Sequence, residues 1–251
     1  MQDSIHKMIG YGIRATDGDL GKLYEFYFDD ETWTIRYMVV ETGNWLSGRK
    51  VLISVVALGK PDVKSQTFSV NLTCDQVRNS PDIDTQRPVN RQHEVEIHKY
   101  YQWPIYWQSS YGSAFGITEF PMIIPEDPFN KKDSASGKEN NPHLRSTKQV
   151  TGYHIHAKDG SIGHVEDFMV DDDNWKIRFL VVDIGKWLPG RKVILSPKWV
   201  RKVEWADSSV YLDLTKESVK NSPVFDASQS VTPEYEDDLN DHYGRRPIVH
   251  H

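Results

Sequence analysis

The sequence predicts a mainly β protein made of two small β-barrels of about six strands each, each barrel followed by a short C-terminal helix. Three observations predict it. Shifting the chain by 142 residues lays residues 10 to 54 on residues 152 to 196 without a gap, with about half of the positions identical. Within each copy, short apolar runs alternate with Gly, Asp and Asn turn signals, as in a small all-β unit. A tail of helical character then closes each copy. The period is far longer than a solenoid unit, so it marks duplicated domains.

The match continues past the strands. FSVNLTCDQVRNSP (68 to 81) falls on VYLDLTKESVKNSP (210 to 223), Glu94 on Glu236, and Tyr101 on Tyr243. These limits predict a first unit over 5–108, a linker over 109–147 and a second unit over 148–249. The linker, rich in Ser, Gly, Lys, Asn and Pro, reads as a flexible tether.

The elements follow in order. Asp17-Gly18 and Asp159-Gly160 are tight-turn signals, and Gly21 and Gly163 mark a bulge or a close backbone approach. LYEFYF and VEDFMV read as strands, and the acidic tips Asp29-Asp30-Glu31 and Asp171-Asp172-Asp173 as turns. In the next strand Trp33, Ile35, Tyr37 and Val39 share one face by the two-residue period, with Met38 and Val40 on the other. A strand apolar on both faces is covered on both. A W-L-x-G-R-K loop and two further strands complete each barrel. RQHEVEIHKYY and TPEYEDDLNDHYG are the helical tails, with Thr232 as N-cap and Pro233 at the first helical position.

DG-x-x-G, W-x-I-R-x-x-V-V, W-L-x-G-R-K-V-x-x-S and V-x-N-S-P together resemble the PRC-barrel family, named after the cytoplasmic domain of the photosynthetic reaction centre H subunit. The resemblance is closest to bacterial proteins carrying two such barrels. It implies a six-stranded barrel and no common catalytic residues.

A net charge of −6 argues against nucleic acid or an anionic membrane as partner. The single cysteine, Cys74, cannot form an internal disulfide. No apolar run approaches a membrane span, so the expected location is the cytoplasm.

Candidate sites are few. Trp45, Leu46 and Arg49, with Trp187, Leu188 and Arg191, present residue types enriched at interface hot spots; folding back to cap the barrel is the alternative. The aromatic run Tyr100, Tyr101, Trp103, Tyr106, Trp107 and Tyr111 has little counterpart in the second copy. His154 and His156 share a strand face and are the weak candidates for a metal, with His143 and His164 nearby in sequence; the first copy has Gly12 and Arg14 in their places. No nucleophile elbow or phosphate loop is present, and Glu25 with Asp29, like Glu166 with Asp171, is too far apart for an acid/base pair. The expectation is a non-enzymatic interaction or assembly module without a cofactor. Its partner is a protein or itself, as an intramolecular pseudo-dimer or a homodimer. The competing readings are an RNA-processing or ribosome-associated factor, and a small-ligand or metal binder.

Overall fold

The computed structural model describes residues 2–81, 89, 91–107, 143–185, 190–226 and 231–244. The first copy runs β1 (Gln2–Ser4), α1 (Ile5–Met8), β2 (Gly12–Arg14), β3 (Asp19–Asp29), β4 (Thr34–Thr42), β5 (Lys50–Ser54), β6 (Thr67–Ser69), α2 (Cys74–Arg78) and α3 (Arg91–Tyr101). The second runs β7 (Leu144–Ser146), α4 (Thr147–Val150), β8 (His154–Ala157), β9 (Gly160–Asp171), β10 (Lys176–Asp183), β11 (Lys192–Leu195), β12 (Val200–Glu204), β13 (Ser209–Leu212), α5 (Lys216–Lys220) and α6 (Pro233–His242). Leu144–Ser146 lie inside the stretch expected as tether and are a paired strand instead, whereas 109–142 fall outside the described residues.

Within each copy the turn chemistry acts as the residues dictate. Asp29 accepts from the Thr32 amide at 2.7 Å, and Asp171 from the Asp173 amide at 3.0 Å, closing the two acidic tips. Gly21 and Gly163 let β3 and β9 pass close to their neighbours: a Cβ there would sit 2.1 Å from the Glu41 carbonyl oxygen and 2.0 Å from that of Asp183. β4 is buried on both sides. Its faces divide differently from strict alternation, because the β3–β4 register shifts between Tyr27/Tyr37 and Phe28/Ile35. That bulge at Arg36 turns Ile35 to the side of Met38 and Val40, in the main core. Tyr37 and Val39 remain on the other side, in a second apolar cluster with Ile97 of α3 and Leu144.

The strand order of the second copy is β12-β13-β8-β9-β10-β11. Flat, six strands at a spacing of about 4.8 Å would place the edges roughly 24 Å apart. The link from β11 to β12 is a single 3-10 turn, Pro197–Trp199, rising only about 2 Å per residue. The sheet must therefore curl strongly to bring its edges near each other.

No strand pairing among the described residues closes either copy as a barrel of its own. Among the described residues all thirteen strands join one open sheet through β4 and β10. At the joint Thr34 faces Lys176, its own counterpart under the 142-residue shift. The Ile35 amide donates to the Trp175 carbonyl and the Ile177 amide to the Trp33 carbonyl, each at 2.8 Å. A pseudo-twofold axis thus passes between the copies. Trp33 (φ 53°) and Trp175 (φ 59°) both sit in the left-handed region, which costs a bulky residue about 1–3 kcal/mol. Packing holds them there. Trp33 stacks on Phe28 at 5.4 Å, and Trp175 lies 5.7 Å from Phe26 and 6.1 Å from Phe68, both in the other copy.

The copies also exchange their first strands. β1 pairs antiparallel with β9, and β7 pairs antiparallel with β3. Each arm ends in a serine that caps the following helix and donates to a carboxylate of the other copy: Ser4 to Asp167 and Ser146 to Glu25. Burial raises the pKa of both carboxyls, and the serine hydroxyl is the largest opposing influence on each. The main core consequently runs through both copies as one body. No helix among the described residues is long and apolar enough to cross a membrane.

Candidate functional site at the tail of the first copy

Helix α3 places Glu94 and His98 one turn apart, so both side chains project onto the outer face of β4. There they meet Tyr37. Glu94 is 0% exposed and His98 1%. A charge so enclosed persists only with partners, and Glu94 has four. Tyr37 Oη donates to Oε2 at 3.0 Å, and Tyr106 Oη donates to the same oxygen. Arg91 Nη1 lies 3.1 Å and His143 Nε2 2.8 Å from Oε1.

The chain reverses after α3 to build the rest. Gln102 takes a left-handed φ of 57°, and the Trp103 amide bonds the His98 carbonyl at 3.0 Å. Trp103, Tyr106 and Trp107 then surround the His98 ring, with centroids at 5.9, 5.9 and 4.9 Å. Tyr101 stacks on Trp103 at 4.2 Å. Two guanidinium groups cover the rings from outside: Arg36 lies 4.0 Å over Tyr106, and Arg91 4.4 Å over Trp107.

The protons in this cluster can be assigned from the geometry. His98 Nδ1 is 3.0 Å from the Pro104 carbonyl, which only accepts, so Nδ1 carries the hydrogen. Burial lowers the His98 pKa, with Glu94 pulling the other way, and the neutral ring then accepts at Nε2, 2.7 Å from Tyr37 Oη. Burial, reinforced by Glu94, raises the pKa of Tyr37 and Tyr106, so both stay donors. The single phenolic proton of Tyr37 therefore faces two acceptors, Glu94 and His98. In the second copy Phe179, Asn240 and Pro233 replace Tyr37, His98 and Arg91, and Glu236 meets Arg178 at 2.9 Å. Among the described residues the cluster occurs once.

Of the aromatic run, Tyr101, Trp103, Tyr106 and Trp107 fall in this cluster, while Tyr111 lies outside the described residues. The candidates of the shared loop turn inward. Trp45 Nε1 donates to the Leu20 carbonyl at 2.8 Å, and Leu46 packs half-buried on the core. Arg49 donates to the Arg78 and Ser80 carbonyls at 3.1 and 2.6 Å, at the end of α2, and Arg191 to the Ser222 carbonyl at 2.6 Å, beyond α5. Trp187 and Leu188 lie outside the described residues.

His154 is exposed opposite His164, while His156 stacks on Tyr211 at 5.0 Å. Neither joins a group able to share an ion; among the described residues the acidic tip Asp171, Asp172 and Asp173 is the set that could. His143, near these histidines in sequence, sits on Glu94 instead. Sequence reasoning did not single out Tyr37, Glu94 and His98 as a site. The available signal was that two of the three differ between the copies.

A model of the PRC-barrel domain matches residues 1–73 and 155–219. Tyr37 and Arg36 fall within the matched ranges, while Glu94, His98, Tyr106 and His143 fall outside them. A protein of Deinococcus radiodurans described as uncharacterized is 36% identical over 77 residues, 30% of this chain. The match spans only 27% of that relative's length.

Proposed function

We propose that this chain, which belongs to the PRC-barrel domain family, acts as a non-enzymatic assembly module of the cytoplasm, with two PRC-type barrel units serving as one frame for a protein partner. The observation that carries the reading is the reciprocal exchange of β1 and β7 across a shared core. Self-association is satisfied within the chain, so the frame is rigid and its outer faces are available to others. The aromatic tail of the first copy breaks the pseudo-symmetry and gives that frame one distinctive face, on which Tyr100 is exposed. The groups best suited to acid–base chemistry, Glu94 and His98, are enclosed and hydrogen-bonded within the fold, which supports a structural rather than a catalytic use.

The test is quantitative capture by the immobilised full chain from its native cell, followed by titration of any partner found. The expected result is a discrete protein partner whose binding weakens at least tenfold with Tyr100→Ala or Trp107→Ala, in variants whose melting curves show them folded. Retention of RNA or a small molecule in place of a protein, or no specific partner at all, overturns the reading.

A further inference from the structure

Helix α4 and strands β3 and β5 bring two lysines onto one phenol ring. Lys148 Nζ donates to the Tyr24 hydroxyl at 2.6 Å and lies 4.1 Å from the ring centroid, while Lys50 Nζ lies 3.6 Å from the same centroid. A bulge in β3 aims the ring. Leu23 pairs with Val40 and Glu25 with Val39, so Tyr24 has no partner of its own on β4. Lys148 belongs to the second copy and Tyr24 and Lys50 to the first, so the exchanged arm β7, which leads into α4, assembles the group. Tyr24 is half-buried and packs against the second apolar cluster, as Tyr101 and Trp103 do. The group thus lies on the same face as the aromatic tail.

The second copy shows what this frame holds when it carries its own anion. Its bulge falls at Glu166, the counterpart of Tyr24, because Val165 pairs with Val182 and Asp167 with Val181. Glu166 Oε1 meets Nζ of Lys192, the counterpart of Lys50, at 2.6 Å. His6 stands in the place of Lys148. In the first copy a phenol replaces the carboxylate, and a second ammonium is added.

Two cations therefore converge on a phenol, and neither makes an ion pair among the described residues. They lie within about 8 Å of each other, since 3.6 and 4.1 Å meet at one centroid, and like charges at that distance repel. Contact with the ring attracts each ammonium but neutralises neither, and each has three hydrogens to donate. Nearby Glu25 is buried and accepts from Ser146. Glu41 lies across from Lys22 on β3 and from Lys50 on β5. Three cations, Lys22, Lys50 and Lys148, with one anion, Glu41, leave the patch at a net charge of +2. We propose, on the basis of the assembly role above, that Lys50, Lys148 and the Tyr24 hydroxyl receive a carboxylate from outside, an Asp or Glu side chain of the protein partner. That residue would sit beside the apolar ones that meet the aromatic tail. A single carboxylate suits the place better than a polyanion, because the chain as a whole carries −6.

The test is an NMR titration of the full chain, isotope-labelled in lysine and tyrosine, with the capped dipeptide acetyl-Glu-Glu-amide at low salt. Expected are saturable shifts of the Lys50, Lys148 and Tyr24 signals that acetyl-Gln-Gln-amide does not produce. In a folded variant carrying Lys50→Ala and Lys148→Ala, the Tyr24 shift should need about fivefold more dipeptide. Tyr24→Glu, which supplies the second copy's carboxylate from within, should suppress the Lys50 and Lys148 shifts. No shift with the glutamate dipeptide, equal shifts with the glutamine one, or inorganic phosphate moving the same signals at lower concentration overturns the proposal. A captured partner whose affinity the two lysine substitutions leave unchanged also overturns it, with the assembly role intact. Dipeptide binding without any captured partner upholds the site and overturns that role.

Discussion

Replacing Trp175 by alanine tests whether the two copies fold as one unit. Trp175 is only 8% exposed and lies against Phe26 and Phe68 of the first copy, although it belongs to the second. Removing a buried indole costs about 3–5 kcal/mol. For a chain of this size each kcal/mol shifts the melting temperature by roughly 2–4 °C, so the shift should lie between roughly 6 and 20 °C. Because Trp175 holds a φ of 59°, glycine at this position should recover about 1 kcal/mol relative to alanine, reversing the usual order of the two. Differential scanning calorimetry, followed in parallel by tryptophan fluorescence, should show a single transition moving as a whole. Two transitions, with that of the first copy unmoved, would refute the shared core.

Three further outcomes follow from the same geometry. Glu94→Ala should destabilise the chain by about 3–5 kcal/mol in urea unfolding, because buried donors lose their acceptor, whereas Glu236→Ala, whose half-buried carboxylate meets the part-exposed Arg178, should cost less, about 1 kcal/mol. The depressed pKa of His98 means that the folded state binds fewer protons there than the unfolded chain, so stability present above the ordinary histidine value of about 6.5 falls as pH drops below it. His98→Asn, the residue of the second copy, should flatten that slope between pH 7.5 and 5.5 in denaturant titrations; an unchanged slope would clear His98 of the effect. A protease site introduced between residues 108 and 142 should, once cut, give two fragments that co-elute in size exclusion and part only in denaturant, while separation under native conditions would contradict the exchanged strands.

The features legible in the sequence were local or repeated. The duplication, the acidic tips, the tight passage at Gly21 and Gly163 and the double burial of β4 each rest on neighbours close in the chain or on the 142-residue shift. The position of Ile35 was not legible, because a bulge leaves no mark in an alternation only a few residues long. The exchanged arms were not legible either: three residues are too few to show a period, and their partners lie more than a hundred residues away. At the candidate site Trp103 and Trp107 stood out by composition. Tyr37 did not, since Tyr in one copy and Phe in the other read as a conservative pair until the buried Glu94 gave the phenol its purpose.

The pairing of Thr34 with Lys176 bears on how this molecule can change. In a dimer of two identical chains every substitution appears twice, and whatever suits one side is imposed on the other. Here the two sides are written separately in a single chain. A phenol can enter at Tyr37 while Phe179 stays apolar, and a histidine can be set at position 98 while Asn240 remains across the axis. One half can keep the inherited frame intact while the other is free to acquire something new.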